Sequence, residues 1–262
     1  METHPDSMPS QRTADRSKCF IGRNYRFDAE IGFYSCCRGD IAWRTLRVMN
    51  NRVLLRRPFA YRQYNAVLWL VGVNVLFYAI TSFLPDFLYL LAMNPLETIR
   101  GGMFWQPFTY MFVHSPFGWG HILFNMFGLF IFGSQVERRI GSTEFLVFYL
   151  FSGLVAGLLS LAIYWMTGLV QIQLLGASGA VFATLLAYAT FFPDSVIFLF
   201  AIIPMKAPVL VLGFTALELF RGLTSPGSGV AHLTHLAGFV AAFVYLLLRL
   251  NINSLRVFFG RE

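Results

Sequence analysis

Residues 145–193 contain no Asp, Glu, Lys or Arg. A helix that crosses a bilayer needs about 20 consecutive apolar residues, so this uncharged run alone is long enough for two crossings. Composition extends the point to the whole chain of 262 residues: 56% are hydrophobic, 13% are charged, and the mean hydropathy is +0.60. Soluble domains carry roughly 25% charged residues. These values exclude a disordered chain, a basic nucleic-acid-binding domain and an ordinary cytosolic enzyme. The net charge of +7 does not restore a nucleic-acid partner, because the arginines lie in the N-terminal arm and between apolar runs. The chain reads as an all-α polytopic membrane protein, with room for about six spans in one bundle.

Apolar windows with at most one charged residue place those spans at 65–84, 121–136, 145–166, 178–192, 208–220 and 232–250. The polar break at 167–173 divides the long uncharged run. Residues 85–120 are interrupted by Pro85, Pro95, Gly101, Gly102, Pro107 and Pro116 but are rich in aromatic residues, which suits a large loop lying in the membrane interface. The organisation expected is an N-terminal arm at 1–62, a six-span core at 63–251 and a short tail at 252–262. Met49, where the character turns basic and then apolar, is an alternative start. The arm has no apolar segment of a signal peptide, and its acidic residues argue against a transit peptide. Cys19, Cys36 and Cys37 form neither a disulfide framework nor a zinc motif. Arg38-Gly39-Asp40 reads as a chance tripeptide.

With both termini in the cytosol, the inner side receives Arg52, Arg56, Arg57, Arg62, Arg138, Arg139, Lys206, Arg249, Arg256 and Arg261, against Arg100 and Arg221 outside. That bias favours the N-in, C-in topology. Spans two, four and six then begin in the outer leaflet. Their first residues are His121 and Asn125, then Gly176-Ala177-Ser178-Gly179, then His232 and His235. Polar and ionisable groups at membrane depth are costly and usually functional. Here they converge from three spans.

Ser178 lies between glycines that permit a sharp turn and a close backbone approach at a helix start. Unsatisfied N–H groups and the positive dipole end there favour a developing oxyanion. A serine needs a base to become a nucleophile, most often a histidine. His235 begins another span and is followed by Gly238 and Ala242, small residues that let it pack closely. Spans two, four and six carry no carboxylate at this depth, so a Ser–His dyad fits better than a triad. His121 and Asn125, four residues apart, share a helix face and can donate hydrogen bonds to an oxyanion. The plainer readings are a packing face for Gly-Ala-Ser-Gly-Ala and satisfied structural histidines at His121 and His232. His114 reads as interfacial. Glu218 reads as a partner of Arg221 or a cap of the fifth span, with no catalytic role. Zinc-protease and paired-aspartate signatures are absent from the sequence.

Together these residues resemble the rhomboid family of intramembrane serine proteases over about residues 65–250. The resemblance rests on Trp105, the H-x-x-x-N of His121 and Asn125, Glu137-Arg138-Arg139 with Gly141, the G-x-S-G of Gly176 to Gly179, and the H-x-x-G of His235 and Gly238. The family's Trp-Arg reads Trp105-Gln106 here, and the second glycine after the histidine is Ala242. His232 lacks a glycine three residues on. The resemblance implies a six-span helical bundle with an interfacial first loop. It implies Ser178 as nucleophile, His235 as general base, and His121 and Asn125 completing an oxyanion hole with the Ser178 N–H. The implied activity is cleavage of single-span membrane proteins near the outer end of their helix, with no cofactor or metal. The fifth span and its following loop, 222–229, are expected to be flexible enough to act as a gate. The expected setting is a plasma membrane of bacterial inner-membrane type, with the bilayer and substrate as partners, no nucleic acid, and an oligomeric state left open. A non-catalytic rhomboid-like binder or escort is the alternative, and a small-solute channel is a weaker third.

Overall fold

The computed structural model describes residues 59–199, 202–224 and 230–260. Readings that concern residues 1–58, including the arm, the Met49 start and the three cysteines, lie outside the described residues. So does the centre of the expected gate, at 225–229.

Helix α1, Ala66–Phe83, matches the first charge-free window. Its first turn has no side-chain cap of its own. Instead the carboxylate of Glu137 accepts the Ala66 and Val67 N–H groups at 2.6 and 3.1 Å, satisfying donors that every helix start leaves open. Glu137 also accepts from the Ser142 hydroxyl. The Glu137-Arg138-Arg139 motif therefore ties two distant segments together.

The proline-broken loop folds into short helices α2 (Pro85–Leu91), α3 (Pro95–Ile99) and α4 (Gln106–Thr109), and a 3₁₀ turn, Tyr110–Phe112. Proline lies in the first turn of each short α-helix, where its missing N–H costs nothing. Gln106 is fully buried. Its carbonyl accepts from the Asn94 N–H at 3.0 Å and the Thr98 hydroxyl at 2.8 Å, while its amide reaches the Tyr89 carbonyl at 3.4 Å. Trp105 Nε1 donates to the Leu90 carbonyl at 2.9 Å. The Trp105-Gln106 pair thus staples the loop where the family has Trp-Arg.

Helix α5, Trp119–Gly128, continues through a π turn, Leu129–Gly133, into α6, Ser134–Ile140. Helix α7 spans Ser142–Met166 and α8 spans Ser178–Phe191. A small antiparallel hairpin follows, β1 (Val196–Leu199) paired with β2 (Ile203–Lys206), Val196 opposite Lys206. This hairpin departs from the all-helical expectation; Lys206, paired with Asp194 at 2.9 Å, closes it. Helices α9 (Ala207–Thr224), α10 (Val230–Arg249) and α11 (Ser254–Phe259) complete the described chain. Helix α11 docks on α8: the Thr190 hydroxyl donates to Ser254 Oγ at 2.9 Å.

Helices α1, α7, α9 and α10 contain segments long and apolar enough to cross a membrane. Large apolar side chains such as Trp69, Leu76, Val209, Leu219 and Leu248 are exposed on their outer faces, as lipid-facing positions are. The protein is an integral membrane protein. Helix α8 is different. At 14 residues it is ~21 Å long, shorter than the roughly 30 Å hydrocarbon layer, and buried residues occur all round it, from Gly179 and Ala180 to Ala189 and Thr190. It is the core of the bundle, with α7 and α10 packed closely against it.

Small residues make that packing feasible. A Cβ on Gly238 of α10 would sit 2.1 Å from the Gly179 carbonyl oxygen of α8, so the two backbones meet where position 238 cannot carry a larger side chain. Beside the crossing, the Thr234 and Ser160 hydroxyls lie 2.8 Å apart, joining α10 to α7. At the other end of α10, Arg249 donates to Glu144 on α7 at 3.0 and 3.1 Å.

Candidate active site

The turn into α8 places Ser178 as the first residue of the helix. Gly176 has φ +116°, and a Cβ there would lie 2.7 Å from His121 Nε2. Only glycine meets both demands. The Gly176 N–H donates to the Tyr110 carbonyl at 3.0 Å, and Met93 bridges to Leu174, so the first loop fixes the approach to Ser178.

His235 Nε2 lies 2.8 Å from Ser178 Oγ. The Gly179–Gly238 contact sets this distance, because Gly238 lies one turn beyond His235 on α10. The imidazole is stacked on Phe182, with ring centroids 4.2 Å apart and planes within 10°. Phe182 is one turn beyond Ser178 on α8, so the helix that carries the hydroxyl also sets the plane of the imidazole. A hydroxyl at a helix N-terminus, paired with an imidazole, is an arrangement that activates a nucleophile.

His121 and Asn125 reach the same turn from α5. His121 Nε2 faces Gly176, and Asn125 Nδ2 lies 4.0 Å from where a Gly176 Cβ would be. The Asn125 amide also donates to the His121 carbonyl at 2.8 Å, which uses one of its two hydrogens. The four residues singled out from the sequence, Ser178, His235, His121 and Asn125, are thus gathered around the start of α8.

Two residues have a different place from the one expected. His114 is fully buried rather than interfacial. Its Nε2 accepts the Ala177 N–H at 3.4 Å, and its ring lies 5.1 Å from that of His121. Burial, with His121 nearby, pushes its pKa down to about 3, so it stays neutral and can accept.

Glu218 is 6% exposed and turns away from the pairing expected with Arg221. One carboxylate oxygen binds His232 Nδ1. The other lies 3.1 Å from His235 Nδ1, within ion-pair reach but without hydrogen-bond alignment, since that nitrogen has no hydrogen-bond partner. Helix α9 runs opposite in direction to α8 and α10 along the chain path, so its C-terminal part arrives where theirs begin. Ligand atoms of Glu218, His232 and His235 lie within 4.8 Å of one another, a spacing that one divalent ion can also bridge.

Residues 101–252 match the family model described as Rhomboid domain. This chain belongs to the rhomboid family. Among similar proteins are Rhomboid protein 1, mitochondrial, of Saccharomyces cerevisiae, 29% identical over 201 residues covering 72% of this chain and 55% of that protein. Rhomboid protease AarA of Providencia stuartii is 28% identical over 217 residues, covering 72% of this chain and 73% of the other. Rhomboid-like protein 11, chloroplastic, of Arabidopsis thaliana is 30% identical over 128 residues, or 48% and 41% of the two chains. The rhomboid thus spans about two fifths to a little over half of several relatives' own length. Its relatives come from bacteria, mitochondria and a chloroplast, and several carry the name protease.

Proposed function

We propose that this rhomboid is a serine endopeptidase that cleaves single-span membrane proteins near the outer end of their transmembrane helix. Ser178 Oγ is the nucleophile and His235 Nε2 takes its proton. His121, Asn125 and the Ser178 N–H stabilise the oxyanion. The observation that carries this reading is the 2.8 Å separation of Ser178 Oγ and His235 Nε2 at the start of a buried helix. An escort that only binds clients has no need of that pair.

The proposal includes six crossings, with α5–α6 and α8 added to the four apolar helices, and both termini in the cytosol of a plasma membrane of bacterial inner-membrane type. Arginines on the inner side support that orientation. In it, the Ser178 turn lies toward the outer face, where water reaches it through a cavity that tolerates irregular backbone. A client helix hides its carbonyls in i to i−4 bonds, so the scissile segment must unwind, which Gly and Pro facilitate.

The test is cleavage of a model single-span substrate by purified protein in detergent. The native chain should release two fragments cut in the outer third of the span, and Ser178→Ala should release none. Cleavage by Ser178→Ala equal to the native rate would overturn the proposal, and cuts at the cytosolic end would overturn the site's placement.

A further inference from the structure

Glu218 raises a question that the Ser–His pair leaves unanswered. A carboxylate within a membrane-spanning helix is expensive and is retained where partners compensate it. Its partners here are His232, on one oxygen, and the far nitrogen of His235, 3.1 Å from the other. The near nitrogen of the same imidazole faces Ser178 Oγ at 2.8 Å. The three groups therefore form a line, carboxylate to imidazole to hydroxyl, contributed by α9, α10 and α8.

We infer that Glu218, held by His232, is a positioning residue that orients His235 and stabilises its protonated form, making the site a triad rather than a dyad. The inference rests on the proposed role of Ser178. For Nε2 to accept the serine proton, neutral His235 must carry its hydrogen on Nδ1, and Glu218 is the acceptor that favours that tautomer. When Oγ bonds to the scissile carbon, its proton passes to Nε2 and the carbonyl π electrons move to the oxygen. The imidazolium then faces the Glu218 carboxylate. As the C–N bond breaks, the Nε2 proton goes to the leaving amine, and His235 is neutral again. Glu218 keeps its charge throughout. Stacking on Phe182 holds the ring plane, and the 3.1 Å contact aligns when substrate closes the site, as catalytic hydrogen bonds commonly do.

His232 has a separate task. It occupies the second oxygen of Glu218, fixing the carboxylate's rotation so that the first oxygen remains toward His235. Among the described residues, the titratable groups around His235 are Glu218 from α9, His232 from α10 itself and His121 from α5.

The experiment compares the native chain, Ser178→Ala, Glu218→Gln and Glu218→Asp in one cleavage assay across pH, each with and without EDTA. Glu218→Gln should lose about 10- to 100-fold in kcat with KM little changed, less than the ~10⁴ lost when an aligned triad carboxylate is neutralised. The acid limb of its kcat/KM profile should move to lower pH, because the imidazolium has lost its counter-charge. Glu218→Asp should recover part of kcat and leave the limb near its native position. Native kcat and an unmoved limb in Glu218→Gln would overturn the inference, as would a lower kcat with an unmoved limb, the mark of a merely structural residue. Native activity abolished by EDTA would also overturn it, by placing a metal ion where the proton should be. Cleavage by Ser178→Ala would instead defeat the proposed function. If Glu218→Gln does not fold, ring ¹⁵N shifts of His235 in the native protein decide: a neutral ring protonated on Nδ1 supports the inference, and one protonated on Nε2 overturns it.

Discussion

The rhomboid buries two carboxylates at opposite ends of α10, and they are kept in different company. At the Arg249 end, Glu144 accepts from Arg249, from the Tyr245 hydroxyl at 2.6 Å and from the Phe59 N–H at 3.0 Å. Every partner there is a donor that does not give up its proton in the ordinary pH range. At the Ser178 end, Glu218 has two imidazoles, which exchange protons readily. One contact is aligned and the other is not. A saturated carboxylate holds helices together, whereas one that shares its partners with a reacting group can follow a proton through a reaction.

The contrast predicts that the two ends fail differently. Glu144→Gln removes the charge that gathers the Arg249, Tyr245 and Phe59 donors, and breaking such a buried network costs about 3–5 kcal/mol. Thermal unfolding in detergent should show a large drop in Tm, with the folded fraction cleaving at the native rate. A stable Glu144→Gln with impaired kcat would erase the distinction between the ends. At the Ser178 end, His121→Ala and Asn125→Ala should each lower kcat by about 10²–10³, the usual loss of one oxyanion donor, while Tm stays near native. Unchanged kcat in both would make them structural residues.

Gly238→Ala lies between these cases. Its Cβ has no room beside the Gly179 carbonyl, and forcing α8 and α10 apart costs about 1–3 kcal/mol. The same displacement should lengthen the Ser178–His235 contact, so Tm and kcat should fall together. A loss of Tm alone would show that the crossing does not set the geometry of the pair. Gln106→Ala should have the smallest effect on kcat. Loop groups lose partners, at about 1 kcal/mol per net hydrogen bond, lowering Tm with little change in kcat.

The helices were legible because apolar windows map directly onto the lipid-facing elements: 65–84 became Ala66–Phe83 and 208–220 became Ala207–Thr224. The contact between Ser178 and His235 was legible because glycines flank one and follow the other, and both lie near the starts of helices that run in one direction. Glu218 was missed for the complementary reason. It lies in the C-terminal part of a helix of opposite direction, and a partner three residues away, Arg221, offered a local account of its charge. Counting the ends of antiparallel spans with the starts of the others would have placed it beside the histidines. His114 was missed because a loop broken by prolines looks exposed in sequence, and only the fold shows it beneath the Ala177 N–H. The pairing of 196–199 with 203–206 was not legible because Pro204 interrupts the strand pattern, although a proline in a two-stranded ribbon needs only an edge position.

The central claim is that Ser178 is a nucleophile activated by His235, and covalent labelling tests it apart from any choice of substrate. A fluorophosphonate probe reacts with an activated serine and leaves a mass that peptide sequencing locates. The native protein should carry the label on Ser178 alone, His235→Ala should label far more slowly, and Ser178→Ala should not label. Equal labelling of the native protein and Ser178→Ala, or a label on another residue, would contradict the account.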